Sequence, residues 1–240
     1  MVKTQEYLIK TCSNKEEVTE IDISNQNLEG NLTVKDFPEL KNIECGNNKN
    51  IAFIELNNLP NLVCFYANNC QLTNLKINNC PNLSYLKVAN NLLTNLTFLN
   101  NLTLEKLTIL SAHSNNFSEH TLEPFSKFTN LQQLFLDNCD KSKFRKGIYN
   151  RFTGSLKPLQ KLTRLEILSI GKTDIDSGLE YVPESLRKIG LDSAIKVDTD
   201  CSKLSQELEE AAKVEGVIEK LQQHEENDPS WYDNYYRLAP

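Results

Sequence analysis

The sequence predicts an α/β solenoid, a right-handed superhelix with a parallel concave β-sheet of about eight strands and helical caps, from three observations. Residues 18–197 overlay on themselves about eight times on the pattern L-x-x-L-x-L-x-x-N/C-x-L, most clearly in LVCFYANNCQL from Leu62, LSYLKVANNLL from Leu83 and LEILSIGKTDI from Leu165. Successive starts at Val18, Leu40, Leu62, Leu83, Leu107, Leu131, Leu165 and Leu186 lie 22, 22, 21, 24, 24, 34 and 21 residues apart. A unit this short cannot bury its own apolar edge, so neighbouring units must stack.

The elements follow in chain order. Residues 1–17 read as an N-terminal cap, in which TQEYLIKTC forms a short helix with Tyr7 and Leu8 turned inward over an otherwise open end. Within each repeat of the solenoid, positions 4 and 6 lie on one face of a short strand, and positions 1 and 11 come from its flanking turns, so all four point inward. Position 9 follows the strand, where backbone groups lose their sheet partners and a hydrogen-bonding side chain is needed. That column reads Gln26, Asn48, Cys70, Asn91, Asn115, Cys139, Thr173 and Ala194. About a dozen residues remain for the return path, enough for brief turns, extended strands or a single turn of tight helix. The 34-residue period holds a basic insertion, placed most simply at 141–151. Residues 198–240 combine an amphipathic helix carrying Leu204, Leu208, Ala211, Val214, Ile218 and Leu221 with an aromatic tail containing Trp231, Tyr232, Tyr235 and Tyr236.

Composition narrows the setting. No run of the chain's 240 residues approaches the roughly 20 apolar residues of a membrane span. The N-terminus has charges flanking only a few apolar residues, unlike a secretory signal, which predicts a cytoplasmic protein. Cys45 falls at an inward strand position and Cys70 and Cys139 in the position-9 column, while Cys12, Cys64, Cys80 and Cys201 form no C-x-x-C pair and have no His spacing suited to zinc. Reduced thiols are expected, with no metal and no cofactor. Sequons such as those at Asn31, Asn95 and Asn101 would matter only in a secreted protein.

Positions 3, 5 and 7 point out of the concave face and form a grid eight rows long. Its first rows are acidic, through Glu20, Asp22 and Glu44; its middle rows present Tyr66, Tyr85, Ile109, Phe135 and Ile167 as exposed apolar groups of the kind that make protein-binding hot spots. Partner binding is therefore assigned to Tyr66, Tyr85, Lys87, Ile109, His113, Phe135 and Asp137. His113 and Asp137 share position 7 on adjacent strands, and the reading is a surface hydrogen bond, with a pH-sensitive contact in which the carboxylate raises the histidine pKa as the alternative. Ser111 lies about 6.6 Å from His113 along the strand, and no oxyanion-hole turn accompanies them, so no catalytic residue is assigned. Between residues 141 and 164 stand eight Lys or Arg and no acid, with Lys143, Arg145, Lys146 and Arg151 as the basic-loop candidates; residues 200–240 hold ten acids against four bases. Such a strip could bind RNA or acidic lipid, but the chain carries a net charge of −6 and no nucleic-acid motif, so an acidic protein or the chain's own acidic segment ranks first.

The repeat pattern, together with VTEIDISNQNLEGNLTVKDFPELKNIECGNNKNI and TDIDSGLEYVPESL, resembles the leucine-rich-repeat proteins expanded in arbuscular mycorrhizal fungi, over roughly residues 6–191. The resemblance implies a fungal interaction module, sometimes joined to kinase-like domains, and supplies no catalytic residues. The expected function is a non-enzymatic scaffold that binds a protein partner of unknown identity through the concave face. The alternatives are a regulatory or targeting segment of a larger enzyme, or electrostatic RNA or lipid binding through the basic loop.

Overall fold

A computed structural model describes residues 2–191; the expected C-terminal helix and aromatic tail, with Asp192 and Ala194 of the last repeat, lie outside the described residues. Eight three-residue strands form one parallel sheet in chain order: Glu20–Asp22, Asn42–Glu44, Cys64–Tyr66, Tyr85–Lys87, Ile109–Ser111, Gln133–Phe135, Ile167–Ser169 and Lys188–Gly190. Their register is that of the repeat, so that Glu20, Asn42, Cys64, Tyr85, Ile109, Gln133, Ile167 and Lys188 stand side by side. The inward positions 4 and 6 are fully buried in repeats two to six, from Ile43 and Cys45 to Leu134 and Leu136.

Position 8 explains the abundance of asparagine. Asn25, Asn47, Asn69, Asn90, Ser114 and Lys172 all take φ between 53° and 58°, the left-handed turn that follows their strands and that asparagine adopts at low cost. Position 9 then fills the space beneath the turn. Asn48 donates to Ile23 O and Cys45 O at 2.9 Å each and accepts from Leu28 N; Asn91 and Asn115 repeat this wiring two and three rungs on.

The return path changes character along the chain. Alternating apolar residues make Glu29–Lys35, Asn50–Asn57 and Asn74–Asn78 a three-stranded parallel convex sheet. Later crossings each carry a 3-10 turn, at Thr97–Leu99, Glu123–Phe125, Lys157–Leu159 and Leu179–Tyr181, two of them with proline in the first positions, and the last two crossings also pair Thr153–Ser155 with Asp174–Ser177 as a short parallel sheet. Buried Phe98, Phe117, Phe125 and Phe152 stack through this half, with ring centroids 5.7–6.4 Å apart.

The N-terminal helix, Thr4–Thr11 (α1), closes the first repeat with Leu8 buried and Tyr7 packed against the core. Gln5 covers the open edge of the convex sheet: its amide donates to Thr33 O at 3.1 Å and accepts from Thr33 N at 2.7 Å, replacing the peptide of an absent strand. None of the six described cysteines is in a disulfide. Among the described residues no helix is long and apolar enough to cross a membrane.

The sixth repeat departs from the sequence reading. Cys139 does not occupy the ladder slot; Asn150 does. Its amide donates to Ala112 O and Leu136 O at 3.1 and 2.8 Å and accepts from Phe117 N, partners equivalent, one rung on, to the Val88 O, Ala112 O and Leu93 N of Asn115. The insertion therefore runs over residues 139–149, two residues earlier than 141–151. Removing those eleven residues from the 34-residue period leaves 23, within the 21–24 of the others. Asn138 clamps its two ends together, accepting from Asn150 N and donating to Asn150 O. The physical reason is competition for one buried site: an amide both donates and accepts, whereas a thiol does each weakly.

Candidate functional site

Accessibility falls along the concave face. Glu20, Asp22, Asn42 and Glu44 are exposed, Tyr66, Tyr85, Ile109 and Gln133 half-buried, and Lys87, Phe135 and Ile167 buried. This corrects the expectation of an exposed apolar middle: Phe135 keeps only 4 % of its surface and Ile167 5 %. Side chains at one register on strands about 4.8 Å apart stand shoulder to shoulder, and Phe135 lies between Ser111 and Ser169, two small residues that are themselves buried.

Charge follows the same axis. Burial raises the Glu44 pKa, and repulsion from Asp22 and then Glu20 adds to it, with Lys87 opposing. Burial lowers the Lys87 pKa, and its ammonium stands 5.3 Å from the centre of the Tyr66 ring, within cation–π range. Burial and the neighbouring Cys64 thiol hold the Tyr66 phenol well above its usual range, although the hydroxyl makes no well-formed hydrogen bond.

The position-7 pair sits elsewhere and differs from its sequence reading. His113 and Asp137 are brought together but are each only 3 % exposed, so they do not form a surface contact. The His113 pKa is lowered rather than raised, because burial outweighs the attraction of Asp137 and the Lys143 ammonium adds repulsion. The next residue, Ser114, brings its Oγ to 3.3 Å from His113 Nδ1. Cys139, carried out of the ladder by the insertion, brings its Sγ to 3.2 Å from both His113 Nδ1 and Ser114 Oγ.

The insertion is built against the solenoid. Asp140 caps the short helix Lys141–Arg145 (α2), accepting from Ser142 N and Lys143 N. Lys143 reaches back to donate to Asn91 O at 2.8 Å and Ser114 O at 3.1 Å, and burial lowers its pKa against the pull of Asp140 and Cys139. Arg151 donates to Gly147 O and stacks 4.5 Å from the Tyr149 ring centre. Of the four basic-loop candidates only Arg145 and Lys146 are exposed. Asn150 was legible in principle, since Asn138 followed directly by Asn150-Arg151-Phe152 would restore the N-N-x-apolar ending seen at Asn90-Asn91-Leu92-Leu93.

No protein-family model matches the chain, and no curated protein matches it. Among solved structures, the leucine-rich-repeat domain of LRIM1 is similar over 92 % of this chain and 79 % of its own, at 14 % identity and a TM-score of 0.51. An internalin, inlF, from Listeria monocytogenes aligns over 75 % of this chain and 63 % of its own, at 16 % identity and a TM-score of 0.41. The repeat pattern, the eight-stranded parallel solenoid and the LRIM1 likeness converge on one conclusion: the chain has the leucine-rich-repeat fold.

Proposed function

We propose that this solenoid is a non-enzymatic scaffold that holds a protein partner on its concave face. The observation that carries the reading is the accessibility of the first rows: acidic Glu20, Asp22 and Glu44 run directly into half-buried Tyr66, Tyr85 and Ile109. A segment with basic residues beside an apolar or aromatic anchor fits that order. Aromatic anchors held on a rigid sheet lose little side-chain freedom on binding, and acidic neighbours steer a basic partner toward them. With Lys143 and Arg151 engaged within the fold, the basic insertion offers less free charge than its composition suggests, which favours a protein over a nucleic acid.

The test pairs Tyr85→Ala with Glu44→Lys, both on accessible rows; Phe135 is unsuited because truncating a buried ring confounds binding with stability. The partner is recovered from native extract, and its affinity is then measured for both chains. The double variant should melt like wild type and bind about tenfold or more weakly. Equal affinity in a folded double variant overturns the concave-face assignment.

A further inference from the structure

The geometry points to a transition-metal site of the zinc class, formed by His113, Asp137 and Cys139 where the insertion leaves the solenoid. The sequence conceals it, because no two of these residues have ligand spacing typical of zinc motifs. Three features of the fold bring them together. The parallel register aligns Ser111 with Phe135, which sets position 7 of the fifth and sixth repeats, His113 and Asp137, on neighbouring strand ends. Asn150 takes the sixth ladder rung, which releases Cys139 from that column. Ser114 Oγ then accepts from Cys139 N at 3.1 Å and Asp140 N at 3.2 Å, pinning the start of the insertion beside the imidazole.

The ligand atoms of the three side chains all lie within 4.8 Å of one another, with His113 Nδ1 3.2 Å from Cys139 Sγ. Bonds of roughly 2.0–2.3 Å to nitrogen, oxygen and sulfur give tetrahedral edges of about 3.3–3.8 Å, inside the span of this cluster. One nitrogen, one oxygen and one sulfur suit zinc or cobalt, not calcium or magnesium, which take oxygen ligands. Three protein ligands leave a fourth position for water.

Charge balances. On binding, the Cys139 thiol gives its proton to solvent, and thiolate and carboxylate together offset the two charges of the ion while the imidazole stays neutral. Ser114 completes the outer contacts: two backbone N–H groups occupy its oxygen as acceptor, so its own proton remains to donate to the sulfur. The Lys143 ammonium, fixed on Asn91 O and Ser114 O, favours the thiolate while opposing the cation.

The full chain, reduced and stripped with a chelator, is titrated with Co²⁺ and then Zn²⁺. One equivalent of Co²⁺ should produce thiolate-to-cobalt charge-transfer absorption, and one equivalent of Zn²⁺ should remove it. Cys139→Ser should abolish the band, Asp137→Asn should weaken Co²⁺ binding at least tenfold, and Cys12→Ser, a change at a distant half-buried thiol, should leave it intact. Cys139 is only half-buried, so the folded state of its variant is checked by circular dichroism before the titration. No band at one equivalent in wild type, or a band that persists in folded Cys139→Ser, overturns the site. Tyr85 and Glu44 lie in other rows, so partner binding and metal binding can fail separately.

Discussion

A single asparagine recurs with the same three partners at Asn48, Asn91, Asn115 and Asn150: the carbonyl at position 6 of its own repeat, the carbonyl at position 6 of the repeat before, and the N–H at position 11 of the repeat before. All four side chains are completely buried, so truncation orphans backbone groups that water cannot reach. Asn150→Ala should lower stability by about 1–3 kcal/mol in urea titration, matching Asn115→Ala, while Cys139→Ser stays within about 0.5 kcal/mol. The reverse order of costs would return the sixth rung to Cys139. Three of these asparagines were legible from the column alone. The fourth was not, because column counting assumes a constant distance from the strand and the insertion enters between positions 8 and 9. Thr173 shows how the ladder weakens toward the C-terminal side: its hydroxyl donates to Ile170 O at 2.6 Å where asparagine reaches two carbonyls.

At the level of elements, the insertion is an excursion whose ends meet. Asn138 bonds both the N–H and the carbonyl of Asn150, so the solenoid path is continuous without residues 139–149. Deleting them and joining Asn138 to Asn150 should give a chain that folds with an unchanged far-UV spectrum and a melting temperature within a few degrees of wild type. It should also lack the cobalt band, since Cys139 is gone. Loss of cooperative melting would show that α2 and its Lys143 contacts are part of the core. The return paths show a different limit on sequence reading. Alternation in Leu32-Thr33-Val34 and Ile54-Glu55-Leu56 marks extended crossings, and the structure forms strands there. In the later crossings Pro124 and Pro158 stand in the first positions of 3-10 turns, where a missing backbone donor costs least, and extended pairing is confined to the short pair Thr153–Ser155 with Asp174–Ser177. Composition alone left turn, strand and tight helix open, because a dozen residues can span the gap in any of these forms.

At the scale of the molecule, the first rows of the concave face are acidic and accessible among the described residues, and accessibility falls toward Phe135 and Ile167. Glu20, Asp22 and Glu44 also charge the exposed first strands, which discourages pairing with another chain. For Glu44 the pH dependence follows from its raised pKa. A carboxyl whose folded-state pKa exceeds its unfolded value binds its proton more tightly when folded, so its ionised form lowers stability above that pKa, and the loss is relieved as pH falls through it. Glu44→Gln should therefore stabilise the chain near neutral pH and low salt by a few tenths of a kcal/mol, given its exposure. The gain should fade below the carboxylate range and with added salt, as read by urea midpoints across pH. A gain that persists unchanged in acid would assign the effect to packing.

The sequence by itself determined the solenoid, the parallel register, the inward columns and most of the asparagine ladder, because each depends on a local period that stacking preserves. It also placed the acidic rows. Only the tertiary structure decided which outward side chains remain accessible, which residue fills the sixth rung, and that His113, Asp137 and Cys139 converge. Exposure depends on neighbours across strands and on the insertion folding back, and the convergence depends on a chain excursion closing. Both are long-range outcomes of packing that a repeat's own residues do not encode.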